Sequence, residues 1–98
     1  MRSSAEQKIK GGKLVGVILE HGDRITSIRI IGDFFIYPED ALYKIEKALI
    51  GLSANASKEE IVKTINGTVA EEKAELIGIT AEAIAETMAI AVKKCSGE

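Results

Sequence analysis

The sequence has little of the residues that most often carry chemistry. Its 98 residues include one cysteine, Cys95, one histidine, His21, one proline and no tryptophan. A single thiol cannot close an internal disulfide, so the cytoplasm is the expected compartment. His21 could in principle form a metal site with Asp23 and Asp33, but no second histidine and no cysteine lies nearby, and a surface turn explains all three residues better. Cys95 lies in a predicted helix tail, where the dipole disfavours a thiolate. No catalytic residue and no metal ligand is predicted.

Long apolar runs and basic clusters are also missing. The longest strongly apolar run, Leu14–Leu19, is far too short to span a membrane. Residues 1–10 lack the apolar core of a signal peptide. The net charge is −2 with scattered lysines and arginines, which argues against a nucleic-acid partner. Gly11-Gly12-Lys13 has neither the preceding glycine nor the following hydroxyl of a phosphate loop.

What is present suffices for one folded domain, with 46% hydrophobic and 29% charged residues. Residues 1–12 are polar and end in glycines, which predicts a flexible N-terminal lead to a single domain of residues 13–98. Lys13–Glu20 and Arg24–Phe34 are predicted strands. Because a turn sequence with Gly22 separates them, they are expected to form an antiparallel hairpin. Both faces of the first strand are apolar, so one should pack on helices and the other on a second layer or a partner.

Two helices are predicted after the hairpin. Pro38–Asp40 suits the first turn of a helix that Gly51 ends. Ser57 and Glu60 form a capping box at the start of the next helix. Asn66-Gly67 is predicted to end that helix rather than to form a hairpin turn, because a helical apolar stripe precedes it.

A third helix is predicted from Thr80, which caps it. The stretch 68–79 is ambiguous, and within it Glu71–Leu76 fits either a short helix or an edge strand. The sequence therefore predicts an α+β fold, with a small antiparallel sheet of two to three strands followed by about three packed helices.

All four aromatic residues fall between Phe34 and Tyr43. On an extended backbone the adjacent Phe34 and Phe35 point in opposite directions. Two interpretations stay open. Either the aromatics form only the core where strand meets helix, or one of the two phenylalanines leaves the core and faces a partner or a cleft, because aromatic residues are enriched at interface centres.

Three segments together resemble the C-terminal accessory domain of lipoate–protein ligases. They are the run Gly12-Lys13-Leu14-Val15, the pattern Ile28-x-Ile30-x-Gly32-Asp33-Phe34-Phe35, and Pro38-Glu39 opening a helix that holds Glu46 and Leu49. The resemblance spans residues 12–66, and its Gly-Asp-Phe-Phe segment is the most specific part. It implies a sulfur-scaffold-like α+β fold.

The resemblance also implies a function. The family uses ATP to activate lipoate as lipoyl-adenylate and then transfers the lipoyl group to a lysine of a carrier domain. Since this chain contains no catalytic domain, the archaeal two-subunit form is implied, with this chain as the accessory subunit and a separate catalytic subunit as its partner. No cofactor is expected on this chain alone, whereas ATP, magnesium and lipoate are expected in the complex. The expected interface or functional residues are Lys13, Gly32, Asp33, Phe34 and Phe35.

Two alternatives are also compatible with the sequence. One is a sulfur-transfer-scaffold-like binding module without enzymatic activity, which would normally carry cysteine ligands in a loop and here has only Cys95 in a predicted helix tail. The other is the end domain of a fused ligase. Association with a catalytic subunit distinguishes the accessory subunit from the binding module.

Overall fold

Strands and helices segregate along the chain, with most strands first. The computed structural model describes residues 2–9 and 13–96. Its elements are, in chain order, β1 (Arg2–Lys8), β2 (Leu14–His21), β3 (Ile25–Gly32), β4 (Phe35–Tyr37), α1 (Asp40–Leu49), α2 (Lys58–Glu72), β5 (Glu75–Ile77) and α3 (Ala81–Ser96). β1, β2 and β3 form an antiparallel sheet in that spatial order, and β4 pairs with β5 in a separate two-stranded ribbon. The predicted α+β class is confirmed, and so is the hairpin, which is β2–β3.

The prediction of a flexible lead over residues 1–12 was wrong for residues 2–8. These residues form β1, which pairs with β2 from Arg2 opposite Glu20 to Lys8 opposite Leu14. The segment is polar, but two of its inward positions carry small side chains, Ser3 and Ala5, which are buried. The apolar surface that holds β1 comes from its neighbours, because α3 packs against both β1 and β2. Residues 10–12, also part of the predicted lead, lie outside the described residues.

One face of the sheet carries the core. Val15, Val17 and Leu19 of β2 are almost completely buried beneath α3, while α1 packs against β3. On the opposite face Ile18 is half-buried and Ile31 is 42% exposed. Within residues 2–9 and 13–96 no second layer covers that face. The second layer or partner expected on the other face of β2 is therefore not supplied by these residues.

The helix starts follow the predicted caps, and α1 ends at Leu49, two residues before the predicted Gly51. The Ser57 hydroxyl accepts a hydrogen bond from the backbone N–H of Glu60 at 3.1 Å, and Thr80 accepts one from Ala83 at 3.0 Å. α1 begins at Asp40, two residues after Pro38.

The predicted helix end at Asn66-Gly67 was wrong. α2 continues through Gly67 to Glu72 because its buried stripe continues from Ile61 and Ile65 to Thr68. The helix ends instead at Lys73, which adopts a left-handed conformation with φ of 51°. The ambiguous stretch 68–79 thus contains the last turns of α2 and then β5.

A carboxylate from α1 satisfies the backbone of the edge strand β3. The Ile30 N–H donates to Oε2 of Glu46 at 2.8 Å. We expect Glu46→Ala to lower the free energy of unfolding by about 1–3 kcal/mol, because it leaves a partly buried N–H without its acceptor. Glu46→Gln keeps an acceptor oxygen and should cost less. Urea denaturation of both variants measures the difference, and equal losses would show that the hydrogen bond is not the cause.

Candidate functional site

The chain turns sharply where β3 ends. Gly32 has a φ of +147°, and a Cβ at this position would overlap the carbonyl oxygen of Leu14. The next residue, Asp33, donates its backbone N–H to that same oxygen at 2.9 Å. Gly32 therefore permits a close backbone approach between the end of β3 and β2 of this chain. The exposed carboxylate of Asp33 takes no part in these turn contacts.

A second glycine lies beside this turn. Gly78 follows β5 with a φ of +84°, a conformation that residues with a Cβ rarely adopt. A Cβ there would make only ordinary contacts, 3.4 Å from the Asp33 carbonyl oxygen and 3.7 Å from the Phe34 Cβ, so backbone conformation rather than lack of space favours glycine. The end of β5 therefore lies next to the residues that lead into β4.

Phe34 and Phe35 lie on opposite sides of the chain, as the extended backbone predicted. Phe34 is partly buried and packs against the core, whereas Phe35 is 74% exposed. Of the two open interpretations, the one in which an aromatic leaves the core agrees with this placement. The part that Phe35 takes in binding remains a prediction.

The exposed ring belongs to a larger apolar surface on the β4–β5 ribbon. Phe35 pairs with Ile77 and Tyr37 pairs with Glu75, while Ile36 and Leu76 between them point inward. Tyr37 is 71% exposed and Ile77 48%. We call Phe35, Tyr37 and Ile77 the ribbon face. Sequence reasoning missed Tyr37, which the period of two from Phe35 could have found. It also missed Ile77, which becomes part of this surface only because β5 pairs with β4.

Lys13 lies at the same end of the main sheet as Gly32, but its side chain borders a different surface from the ribbon face. It directly precedes Leu14, and its carbonyl accepts a hydrogen bond from the Ile9 N–H at 2.8 Å. Its side chain is exposed and borders a cleft shared with Lys8, Thr80 and Glu82. The structure thus brings Gly32, Asp33, Phe34 and Phe35 together as one segment and places Lys13 beside its start.

The only histidine is structural. His21 is buried at the end of β2, where Nε2 lies 3.1 Å from the Ser3 hydroxyl and Nδ1 lies 3.2 Å from the carbonyl oxygen of Gly22. The expected surface position was wrong because β1 covers it. In residues 2–9 and 13–96 no group of three or more histidine, cysteine, aspartate or glutamate side chains is arranged to hold a metal. None of the helices described is long and apolar enough to cross a membrane.

Among the described residues, two surface ion pairs link neighbouring helices. Lys44 of α1 donates to Glu72 of α2 at 3.1 Å, and this hydrogen bond raises the pKa of Lys44. Lys58 of α2 donates to Glu86 of α3 at 2.7 Å, which lowers the pKa of the Glu86 carboxyl. All four side chains keep substantial exposure, so each pair adds little to stability.

Comparisons with known proteins identify the fold. No model of a known protein family matches the chain. Over 54 residues it is 44% identical to lipoate-protein ligase A subunit 2 from Thermoplasma acidophilum, covering 54% of this chain and 56% of that protein. The chain thus spans just over half the length of this curated relative in the alignment.

A solved structure matches more completely. It is the structure of an archaeal lipoylation system from T. acidophilum, with a bipartite lipoate protein ligase and its E2 lipoyl domain. One of its chains superposes with a TM-score of 0.72 at 31% identity, over 90% of this chain and 94% of that chain. This chain belongs to the lipoate–protein ligase subunit 2 family. The resemblance seen in residues 12–66 is confirmed, and the match to this solved structure extends beyond them into the C-terminal part of the fold.

Proposed function

We propose that this chain is the accessory subunit of a heteromeric lipoate–protein ligase. In this proposal it joins a separate catalytic subunit for the ATP-dependent activation of lipoate to lipoyl-adenylate in protein lipoylation. The observation that carries the proposal is the match to the bipartite ligase structure over nine-tenths of the chain. Carrier domains that accept the lipoyl group are indirect partners.

The chemistry belongs to the catalytic subunit in this proposal. The described residues do not fit a magnesium site, because no three or more carboxylate, histidine or cysteine side chains among them are arranged to hold a metal ion. In this proposal ATP, magnesium and lipoate bind to the catalytic subunit, and Lys13 does not contact substrate. The single cysteine supports a cytoplasmic location for the complex.

A subunit without reactive groups can still raise a reaction rate. Activation requires the lipoate carboxylate and ATP to be held in line and shielded from water. A docked domain can do this by ordering loops of the catalytic subunit and by covering the reaction site.

Reconstitution tests the proposal. Lipoate-dependent release of pyrophosphate is measured for the catalytic subunit alone, for this chain alone and for the mixture. We expect release only from the mixture, because this chain supplies order and its partner supplies the reacting groups. Size-exclusion chromatography of the mixture should show a complex. Pyrophosphate release by this chain alone, or full release by the catalytic subunit alone, contradicts the proposal.

A further inference from the structure

The inward side chains of the ribbon are the ones that hold it on the core. Ile36, which is 7% exposed, and the half-buried Leu76 anchor the ribbon on the core. Phe35 and Tyr37 leave more than two-thirds of their surface in water. Their cross-strand pairing with Ile77 and Glu75 adds at most about 1 kcal/mol per pair, which does not require side chains as large as these. Adjacent large apolar side chains on an exposed face are typical of interaction sites.

The segment that leads into the ribbon face is anchored to the rest of the fold. The Asp33 N–H donates to the Leu14 carbonyl oxygen at 2.9 Å, and the half-buried Phe34, directly before Phe35, packs against the core. A backbone that is ordered before binding loses less conformational entropy on association. The backbone that carries Phe35 is therefore in place before a partner docks.

The charges around the ribbon face limit what can cover it. Residues 33–40 and 73–78 enter and leave the ribbon, and they carry the exposed carboxylates of Asp33, Glu39, Asp40 and Glu75 against one exposed cation, Lys73. Two copies of this chain meeting through this face would oppose carboxylates to carboxylates, which is unfavourable. An anionic lipid surface would repel them for the same reason. A protein surface with cationic side chains around an apolar depression complements both features.

We propose that the ribbon face, Phe35, Tyr37 and Ile77, is the surface by which this chain docks on the catalytic subunit, seated in an apolar depression rimmed by lysine or arginine side chains. This inference rests on the proposed function, since it takes the catalytic subunit as the occupant. The aromatic rings supply the contact area, and the carboxylates set orientation and association rate.

Binding of purified, full-length chains to the catalytic subunit tests the surface. Phe35→Ala and Tyr37→Ala are each expected to raise the dissociation constant by about 30-fold or more, as the loss of a hot-spot residue does. Ile77→Ala and Ile90→Ala form a matched pair. Ile90 is 39% exposed on α3, so only the Ile77 variant should bind more weakly. Circular dichroism of each variant verifies that it is folded, and since the changed side chains are exposed we expect native spectra.

A charge-reversal pair tests the rim. Glu75→Lys and Glu20→Lys change the net charge equally, but Glu20 is exposed on β2 rather than on the ribbon. We expect Glu75→Lys alone to slow association at low salt, and wild-type affinity to fall as salt rises.

The outcomes distinguish a failure of the proposed docking surface from a failure of the proposed function. If the wild-type chain does not bind the catalytic subunit, both the proposed function and this inference fail. If it binds but the Phe35, Tyr37 and Glu75 variants bind equally well, only the ribbon face is wrong. Wild-type dimers that dissociate on Phe35→Ala would overturn the inference in favour of a second copy of this chain.

Discussion

Replacing Gly32 by alanine is expected to lower the free energy of unfolding by about 2–4 kcal/mol. Two causes add at this position. The φ of +147° is unfavourable for any residue with a Cβ, and the new methyl would overlap the Leu14 carbonyl oxygen and lie 3.0 Å from the Val15 Cα. Both neighbours are backbone atoms of β2, so neither can move away without disturbing the sheet. For a domain of this size such a loss is a large share of total stability.

Gly22→Ala is the matched control. Gly22 lies in the hairpin turn without a positive φ, and a Cβ added there would meet nothing within 4 Å. Its substitution should change the free energy of unfolding by no more than about 0.5 kcal/mol. Chemical denaturation of both variants gives the comparison. If the two alanine variants are equally stable, the close approach at Gly32 does not constrain the fold.

Features encoded locally could be predicted from the sequence. The β2–β3 hairpin follows from two apolar segments around Gly22, and the starts of α2 and α3 follow from the hydroxyls of Ser57 and Thr80. These signals act over a few residues, so no tertiary knowledge is needed to interpret them. Gly67 shows the limit of the same approach, because tertiary packing of the α2 stripe outweighs the helix-breaking preference of one glycine.

Features that depend on distant residues could not be predicted in the same way. β1 looks like a polar tail because its stabilising surface belongs to β2 and α3. The candidate site likewise combines features that local geometry determines with features that depend on distant residues. Opposite orientations of Phe34 and Phe35 follow from backbone geometry alone. The contribution of Ile77 follows only from the pairing of β4 with β5, which joins residues about 40 positions apart in the chain.

Activation and transfer are expected to depend differently on this chain. With lipoate and ATP as substrates, we expect the catalytic subunit to lose on the order of 100-fold or more in rate when this chain is omitted, which is the size of loss that misplaced reacting groups cause. Lipoate carboxylate and ATP are both anionic, so they repel each other and must be held in line while charge develops. With synthetic lipoyl-adenylate as substrate, the mixed anhydride is already formed, and we expect transfer to a carrier lysine to proceed at a similar rate with or without this chain.

Four reactions with the catalytic subunit and a carrier domain measure this difference. Each substrate set is supplied with and without this chain, and carrier lipoylation is followed by mass spectrometry. The Phe35→Ala variant is added at a concentration below its raised dissociation constant. With lipoate and ATP it should give the low rate seen without this chain, and with lipoyl-adenylate it should change nothing, whereas Ile90→Ala should behave like wild type in both sets. Equal dependence in both sets would mean that the chain supports the catalytic subunit's fold or carrier docking instead. Independence in both sets would remove this chain from the ligase reaction, because nothing would then be left for its docking to accomplish.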